Sequence, residues 1–336
     1  MKIVIDAMGG DYSPVEIVKG SVEALKLHHD LEIVMVGKES EIRKVLENIS
    51  FTMPRITIVN AEDVISCNEA PVEAVRSKKE SSLVKAYDLL KSDETVQGLI
   101  SAGSTGAVLA GAFVKIKRIK GVKRPALAPF LPTLQDHQVM IMDAGANMDC
   151  NEINLVQFAQ MGNSYLKNVK KIENPRVGLL SVGTEDEKGN ELTKKVFPLL
   201  KEDKDINFVG NVEARDVISG DYDLIVTDGF AGNVLLKSIE GSVMSVFKLL
   251  KQGIKESFGR KIGAMFLKGM FSELKDKFSL NDVGGAPLLG FEKIVLKAHG
   301  NSKAENIVVA IEQVMEFING DLIGKLKNAL SEQSNE

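Results

Sequence analysis

The stretch K-I-V-I-D-A-M-G-G-D-Y-S-P, from Lys2 to Pro14, decides the fold class. It begins with an apolar run, continues through a turn with two glycines, and ends at a proline. Pro14 suits the first turn of a helix, where a missing N–H group costs nothing. A buried strand that leads through a glycine turn into a helix is the repeating unit of α/β proteins. This segment therefore predicts the first strand–turn–helix unit of an α/β chain.

The same alternation continues along most of the chain. The predicted strands are Lys2–Ala7, Leu31–Val36, Arg55–Asn60, Gln97–Ala102, Gln138–Asp143, Arg176–Val182, Asn207–Gly210 and Asp223–Thr227. The predicted amphipathic helices are Pro14–Leu27, Ser40–Ile49, Pro71–Arg76, Ser82–Leu90, Thr105–Ile116, Asn154–Lys167 and Leu192–Leu200. Because the strands are apolar on both faces, we expect a buried parallel sheet with right-handed crossovers.

The composition describes a slightly acidic chain with enough apolar residues for a large core. Its 336 residues include 42 Lys+Arg and 46 Asp+Glu, a formal charge of -4, and 44% are hydrophobic. This balance argues against a dedicated nucleic-acid-binding protein and against disorder. The two cysteines, Cys67 and Cys150, are too few for a disulfide framework or a four-cysteine zinc site. With no signal peptide evident at the N-terminus, we expect a cytoplasmic protein.

One region departs from the alternation of strands and helices. From about Ser238 to Phe278, apolar residues recur every three or four positions, which indicates a helical stripe. Glycines, including Gly253, interrupt the stripe, so we expect a helical hairpin rather than one rod. The segment from Lys248 to Phe278 holds eight basic and three acidic residues, a net charge of +5. An acidic chain thus carries a basic, apolar arm.

Glycine-rich turns follow the predicted strands, and ligand chemistry is expected there. The turns are Asp6–Asp11, Ser101–Ala107, Asp143–Asp149, Val182–Glu191, Asp228–Asn233, Gly284–Gly290 and His299–Ser302. Open α/β sheets bind ligands beyond the carboxyl ends of their strands, and glycine lets backbone N–H groups approach an anion. The set predicts a phosphate-bearing ligand. No G-x-G-x-x-G or Walker A motif is present, which disfavours a kinase or a Rossmann dehydrogenase.

Two residues of these turns are predicted to act chemically, His299 and Lys188. His299 follows the apolar run Ile294–Ala298, at a strand end typical of active sites, although a capping or packing role is an alternative. Lys188 also lies beyond a strand, where the alternative is a solvated side chain. Cys150 has no neighbouring basic residue and is expected to be inert. A divalent-ion site could use Asp6, Asp11, Asp143, Asp149 and Asp228, although Asp is common in turns.

The motifs, taken together, resemble the bacterial phosphate acyltransferase (PlsX) family over essentially the whole chain. The matching segments are D-A-M-G-G-D at Asp6, S-A-G-x-T-G-A at Ser101, R-P-A-L-A-P at Arg124, D-x-G-A-N-x-D at Asp143, G-T-E-x-x-K-G-N-E-L-T-K at Gly183, N-V-E-A-R-D at Asn211, D-G-F-x-G-N-x-x-L-K at Asp228 and K-A-H-G at Lys297. The departures from the family pattern are Ser104, Ser181 and Val283.

This resemblance implies an isocitrate/isopropylmalate-dehydrogenase-like α/β/α fold with three layers, shared with phosphotransacetylases. Residues 1–336 would form one phosphate acyltransferase domain, with two subdomains around a cleft and a helical arm at residues 238–278. The implied reaction converts acyl-ACP and inorganic phosphate into acyl phosphate and free ACP, in bacterial phospholipid (phosphatidic acid) synthesis. The implied partners are a second copy of the chain and a membrane glycerol-phosphate acyltransferase. No redox cofactor is expected, and no metal site is assigned.

Resemblance and position together also predict the roles of individual residues. Lys188 would neutralise phosphate or the developing oxyanion, and His299 would protonate the departing thiolate or orient phosphate. The predicted phosphate and substrate ligands are Gly103, Ser104, Thr105, Gly106, Asn147, Thr184 and Asn233. The residues predicted to contact an anionic membrane surface at the tip of the arm are Phe266, Leu267, Lys268, Met270 and Phe271. The positive charge of the arm would also attract acidic acyl carrier protein.

Three alternative functions stay open on the sequence. A phosphotransacetylase that acts on a short-chain acyl-CoA would have the same fold, and the sequence does not reveal the carrier. A decarboxylating dehydrogenase should provide a metal-binding carboxylate set and a Tyr/Lys acid–base pair, which a chain with four tyrosines does not evidently supply. A non-enzymatic membrane scaffold would use the basic arm and would leave the glycine turns unexplained.

Overall fold

The structure is a computed structural model that describes residues 1–49, 51, 54–278 and 284–332. The strands are β1 Lys2–Asp6, β2 Glu32–Gly37, β3 Ile56–Asn60, β4 Val96–Ser101, β5 Ala126–Leu127, β6 Phe130–Pro132, β7 Gln138–Met142, β8 Arg176–Ser181, β9 Asn207–Glu213, β10 Leu224–Val226, β11 Gly285–Leu289 and β12 Ile294–Ala298. The helices are α1 Val15–Leu27, α2 Glu39–Asn48, α3 Pro71–Ser77, α4 Ser82–Ser92, α5 Thr105–Lys115, α6 Glu152–Asn168, α7 Glu191–Glu202, α8 Gly229–Lys255, α9 Phe258–Phe266, α10 Lys268–Lys277, α11 Ala304–Asn319 and α12 Leu322–Glu332. The chain is therefore a mixed α/β protein.

The strands form two sheets that are mostly parallel. The seven-stranded sheet has the order β3-β2-β1-β4-β12-β11-β5, and the five-stranded sheet has the order β6-β7-β10-β8-β9. All eight predicted strands are present, and they pair in parallel with one another. Parallel pairing is thus confirmed for the predicted strands, and the antiparallel pairs all involve strands that were not predicted: β11 with β12 and β5, and β6 with β7.

The seven helices predicted between the strands are present within two residues of their predicted bounds. Prolines and capping side chains explain where several of these helices begin. Pro71 is the first residue of α3, whereas Pro14 is the residue before α1. Asn151 and Asn154 form a reciprocal capping box at the start of α6, and the Asn190 side chain accepts a hydrogen bond from the Thr193 N–H at the start of α7. These caps satisfy N–H groups that have no partner inside a helix.

One large apolar core joins the two sheets. A single buried cluster includes Ile5 of β1, Met140 of β7, Phe158 of α6 and Ile311 of α11, all shielded from solvent. The helices α1 and α11 pack closely, because Gly20 lets the two backbones approach: a Cβ atom there would lie 2.4 Å from the Ala304 carbonyl oxygen. The sheets are thus fixed to each other by shared burial of apolar surface.

The three helices α8, α9 and α10 form the arm. The helix α8 begins at Gly229, before the predicted start at Ser238, and it continues through Gly253, where an interruption was expected. The breaks lie instead at residues 256–257 and 267. The chain then returns to the body, where Lys277 Nζ donates to the Leu134 carbonyl at 2.8 Å. Of the helices in the described ranges, none is both long and apolar enough to cross a membrane.

Candidate functional site

Three glycine-rich loops meet at one edge of the seven-stranded sheet. The strands β1, β4 and β12 are parallel neighbours, so their carboxyl ends bring together the loops that follow them. Asp11 N–H donates to the Gly300 carbonyl at 2.7 Å, which joins the first loop to the third. Gly9 approaches the second loop so closely that a Cβ atom on it would lie 2.6 Å from Gly103 N. The predicted phosphate turn and the His299 loop therefore share one edge.

Asp6 fixes two of these loops at the end of β1. Its carboxylate is buried and accepts a hydrogen bond from Ser101 Oγ at 2.7 Å and one from the Met8 N–H at 3.3 Å. Burial raises the pKa of Asp6, and these hydrogen bonds oppose the rise. Asp6 thus serves to hold the loops in register.

The turn at residues 103–106 leads into α5, whose first N–H groups have no hydrogen-bond partner among the described residues, whereas the Gly103 N–H donates to Ser101 Oγ at 3.1 Å. The first hydrogen bond inside α5 runs from Val108 N–H to the Ser104 carbonyl, so the N–H groups of residues 105–107 precede the helical ladder. Within the described part of the chain, the Ser104 side chain makes no capping hydrogen bond, and Thr105 is exposed. Such a helix N-terminus can receive an anion. The turn therefore has the donors that its predicted binding role requires.

A second pair of loops meets at the carboxyl ends of β7 and β10. Gly229 N–H donates to the Asn147 carbonyl at 2.8 Å. A Cβ atom on Gly145 would lie 3.7 Å from the side chain of Asn233, which is partly exposed on the first turns of α8. The loops at residues 143–149 and 228–233 are thus in contact, as their shared sheet edge predicts.

The side chain of Asn147 is fully engaged as a donor inside this second cluster. It is buried, and its Nδ2 group donates to the Pro125 carbonyl at 2.8 Å and to Asp143 Oδ2 at 2.9 Å. Asp143 also accepts backbone hydrogen bonds from Leu127 and Ala146. A phosphate bound here would have to receive its hydrogen bonds from other groups, so the binding role of Asn147 stays a prediction.

Lys188 and Thr184 lie in the exposed loop that follows β8. This loop is held to the neighbouring strand by Asn211 Nδ2, which donates to the Glu185 carbonyl at 2.7 Å. The Lys188 stem passes over Gly183, where a Cβ atom would lie 2.8 Å from Lys188 Cγ. Both Lys188 and His299 are described, and no hydrogen bond or ion pair joins them. Lys188 follows β8 of the five-stranded sheet, and His299 follows β12 of the seven-stranded sheet. The two predicted catalytic residues thus lie on loops of different sheets.

His299 is partly buried at the end of β12, among charged groups that the sequence analysis did not single out. Burial lowers the pKa of His299, Glu240 opposes that effect, and Lys297 and Lys237 reinforce it. Lys237 and Glu240 both belong to α8, which starts beyond β10 of the other sheet. Both lysines stand inside matched motifs, at the end of D-G-F-x-G-N-x-x-L-K and at the start of K-A-H-G. Their place inside these motifs was the signal by which the sequence could have identified them.

Lys297 is an unusual buried lysine in β12. Its side chain is shielded from solvent, and Nζ donates to the Ala298 carbonyl. Burial lowers the pKa of Lys297 to about 8, while Cys67, Asp11 and Asp6 oppose that effect. A fraction of this lysine is therefore neutral near physiological pH.

Cys150 and the turn aspartates do not form a second reactive centre. Burial raises the pKa of the Cys150 thiol to about 11, and its Sγ donates to the Asn147 carbonyl at 3.6 Å. The thiolate that a nucleophile needs is thus disfavoured. Across the described ranges, no three His, Cys, Asp or Glu side chains are gathered so as to hold a metal ion.

Comparisons with known proteins agree with the resemblance read from the motifs. The model of the family described as "Fatty acid synthesis protein" matches residues 1–325. The phosphate acyltransferase of Thermoanaerobacter pseudethanolicus is 47% identical over 336 residues, which cover 100% of this chain and 99% of the relative. That of Clostridium novyi is 47% identical over 333 residues, which cover 99% of each chain. The solved structure of a phosphotransacetylase from Streptococcus pyogenes has a TM-score of 0.58 at 21% identity and covers 95% of this chain and 94% of its own, so the fold is shared.

Proposed function

Since the chain belongs to the phosphate acyltransferase family of fatty acid synthesis proteins, we propose that it converts acyl-ACP and inorganic phosphate into acyl phosphate and free ACP. This reaction would serve bacterial phospholipid (phosphatidic acid) synthesis. The observation that carries the proposal is that the turn at residues 103–106 and the His299 loop both approach the loop after β1, at one sheet edge. The proposed reaction needs a group that binds the phosphate anion close to a residue that carries a proton.

The chemistry needs little beyond positioning and proton transfer. An oxygen of HPO₄²⁻ attacks the thioester carbonyl, and the N–H groups of residues 105–107 stabilise the phosphate or the tetrahedral oxyanion. The C–O bond forms and the C–S bond breaks, so the phosphate proton must reach the departing sulfur. A neutral His299, favoured by its lowered pKa, accepts that proton and delivers it to the thiolate. The products are acyl phosphate and a free thiol.

Lys188 completes the site from the second sheet in this proposal. Its exposed ammonium group would neutralise phosphate or the oxyanion, and Thr184 and Asn233 would contact substrate from the same side. We take the two sheets as two subdomains around a cleft, in an isocitrate-dehydrogenase-like fold. This is supported by α8, which starts beyond β10 of one sheet and carries charged side chains that shift the pKa of His299 at the edge of the other sheet.

The arm is proposed to serve a homodimer and, at its tip, an anionic membrane surface. No residue of α9 is buried, and the Phe266 side chain is 85% exposed. Apolar residues of α8, α9 and α10 also line an open groove of about 570 Å³. Apolar and cationic side chains on one segment suit anionic lipid headgroups. The enzyme would thus lie at the inner face of the cell membrane, near the glycerol-phosphate acyltransferase that receives its product.

The reaction is tested by trapping acyl phosphate with hydroxylamine. Incubation of the protein with long-chain acyl-ACP should yield acyl hydroxamate only when phosphate is present. A preference for acetyl-CoA would instead identify a phosphotransacetylase. Binding of acyl-ACP without turnover would identify a scaffold, and either result would overturn the proposed reaction.

Membrane contact is tested by flotation with liposomes. Phe266→Glu combined with Phe271→Glu should reduce binding to phosphatidylglycerol vesicles by about 100-fold or more, because each phenylalanine that inserts into the membrane contributes roughly 1.5–3 kcal/mol. The matched control is Leu27→Glu with Leu199→Glu, two exposed apolar residues of the body, which should float like the parent. Equal flotation of the arm variant and the parent would contradict insertion of the tip.

A further inference from the structure

Lys297 of β12 carries a buried ammonium group that makes no ion pair with any carboxylate in the part of the chain that the structure describes. The residue is 8% exposed. Its Nζ atom donates to the carbonyl of Ala298, the next residue toward the carboxyl end of the strand, so the side chain turns toward the edge where the glycine-rich loops meet. Burial lowers the pKa of Lys297 to about 8, and the charged form therefore still predominates at neutral pH. A buried charge of this kind suits an anion.

Lys297 ends a row of three polar side chains at the carboxyl edge of the seven-stranded sheet. In the register of the parallel strands, Asp6 of β1 stands opposite Ser101 of β4, and Ser101 stands opposite Lys297. Because residues opposite each other in a sheet point to the same face, the three side chains lie side by side. The Ser101 hydroxyl donates to Asp6 Oδ2 at 2.7 Å. Asp6 is thus held by its neighbour in the row, whereas the charge of Lys297 stays available.

The helix α5 covers the same face of the sheet. The residues two positions before each member of the row belong to one buried apolar cluster with α5, which contains Val4, Leu99, Val295 and Val108. Residues two apart in a strand share a face, so Lys297 lies on the side that α5 covers. The helix begins at Thr105, four residues after Ser101. Its first N–H groups and the Lys297 ammonium group therefore lie at one edge and on one face of the sheet.

We propose that Lys297 is a phosphate-binding residue: its ammonium group pairs with the phosphate anion that the N–H groups of residues 105–107 receive at the start of α5. An ammonium group has three N–H bonds, of which the Ala298 carbonyl takes one, so two can point at phosphate oxygens. A buried charge attracts an anion more strongly than an exposed one does. That this phosphate is a substrate rests on the proposed function, but its binding can be measured without turnover.

Equilibrium dialysis of the full chain with radiolabelled inorganic phosphate, at constant ionic strength, tests this role. Lys297→Met keeps the length of the side chain and removes its charge, so it should raise Kd for phosphate by about 10-fold or more. The matched control is Lys293→Met, just before β12 at the opposite edge of the sheet, where Nζ donates to the Val96 carbonyl at 3.4 Å. This control should keep the Kd of the parent. An unchanged Kd in Lys297→Met, or a parent that binds no phosphate, would overturn the inference.

Thermal unfolding without phosphate separates binding from a merely structural role. An apolar side chain in place of a buried charge is often neutral or stabilising, so the Tm of Lys297→Met should match or exceed that of the parent. If Tm falls, Lys297→Arg decides: phosphate affinity regained with the charge supports the role, and affinity still lost overturns it. A Lys297→Met protein that does not fold would assign the charge to stability and overturn the inference as well. A parent that binds phosphate but forms no acyl phosphate would refute the proposed function, while the comparison of Kd values would still decide the role of Lys297.

Discussion

Replacing His299 with glutamine should lower kcat for acyl phosphate formation by about 10²–10⁴-fold, because glutamine fills the site but cannot carry the proton from phosphate to sulfur.

Lys188→Met should lower kcat by about 10²–10³-fold and raise KM for phosphate, because one cationic partner of the oxyanion is lost. Steady-state release of free ACP thiol measures both effects.

The controls are exposed residues of the same types. His29→Gln, beyond the end of α1, and Lys204→Met, beyond the end of α7, should retain the turnover of the parent. Circular dichroism and the oligomeric state show whether each variant is folded. Near-normal turnover in His299→Gln and Lys188→Met, with an intact fold, would remove both residues from the mechanism.

The strands that were predicted are those that form a short run of apolar residues in the sequence, as a buried strand does. β1 is one example, because Ile3, Val4 and Ile5 are buried on both faces of the sheet. β5 and β6 were missed because they have two and three residues, too few for any periodicity. β12 was noted only as an apolar run before His299, and it contains a buried lysine, Lys297.

The arm shows a different limit of sequence reasoning. Gly253 was expected to interrupt a helix because glycine weakens helices by about 1 kcal/mol relative to alanine. The structure continues α8 through that glycine. Propensity is a weak prior in a long helix, and here the chain breaks at Ser257, whose hydroxyl accepts a hydrogen bond from the Arg260 N–H at the start of α9.

The candidate site was predictable only in part, for a physical reason. A glycine turn is visible in a short stretch of sequence, so the turn at residues 103–106 and the loop of His299 could be found from the ends of the predicted strands. Glu240 lies three turns into α8, and only the tertiary fold lets its charge act on the pKa of His299. Likewise, no sequence pattern shows that the amide hydrogens of Asn147 are already bound by Pro125 and Asp143.

The start of α8 is the place where one added methyl group should do the most damage. A Cβ atom on Gly232 would lie 2.0 Å from the Asp143 carbonyl oxygen and 2.9 Å from Thr227 Cγ2. The first contact is backbone at the end of β7, in the core sheet, so it cannot rotate away. Gly232→Ala should therefore force α8 outward and destabilise the protein by about 3 kcal/mol, the upper part of the range for overpacked cores.

Thermal unfolding measures this effect, and the same helix supplies its control. Gly232→Ala should lower Tm by about 4 °C, because a chain of this length has a large entropy of unfolding. It should also reduce turnover, because Asn233, Lys237 and Glu240 move with the helix. Gly241→Ala, where a Cβ atom would meet nothing within 4 Å, should keep or raise Tm, since alanine favours a helix by about 1 kcal/mol. Equal Tm values for Gly232→Ala and the parent would show that α8 does not approach Asp143 as closely as described.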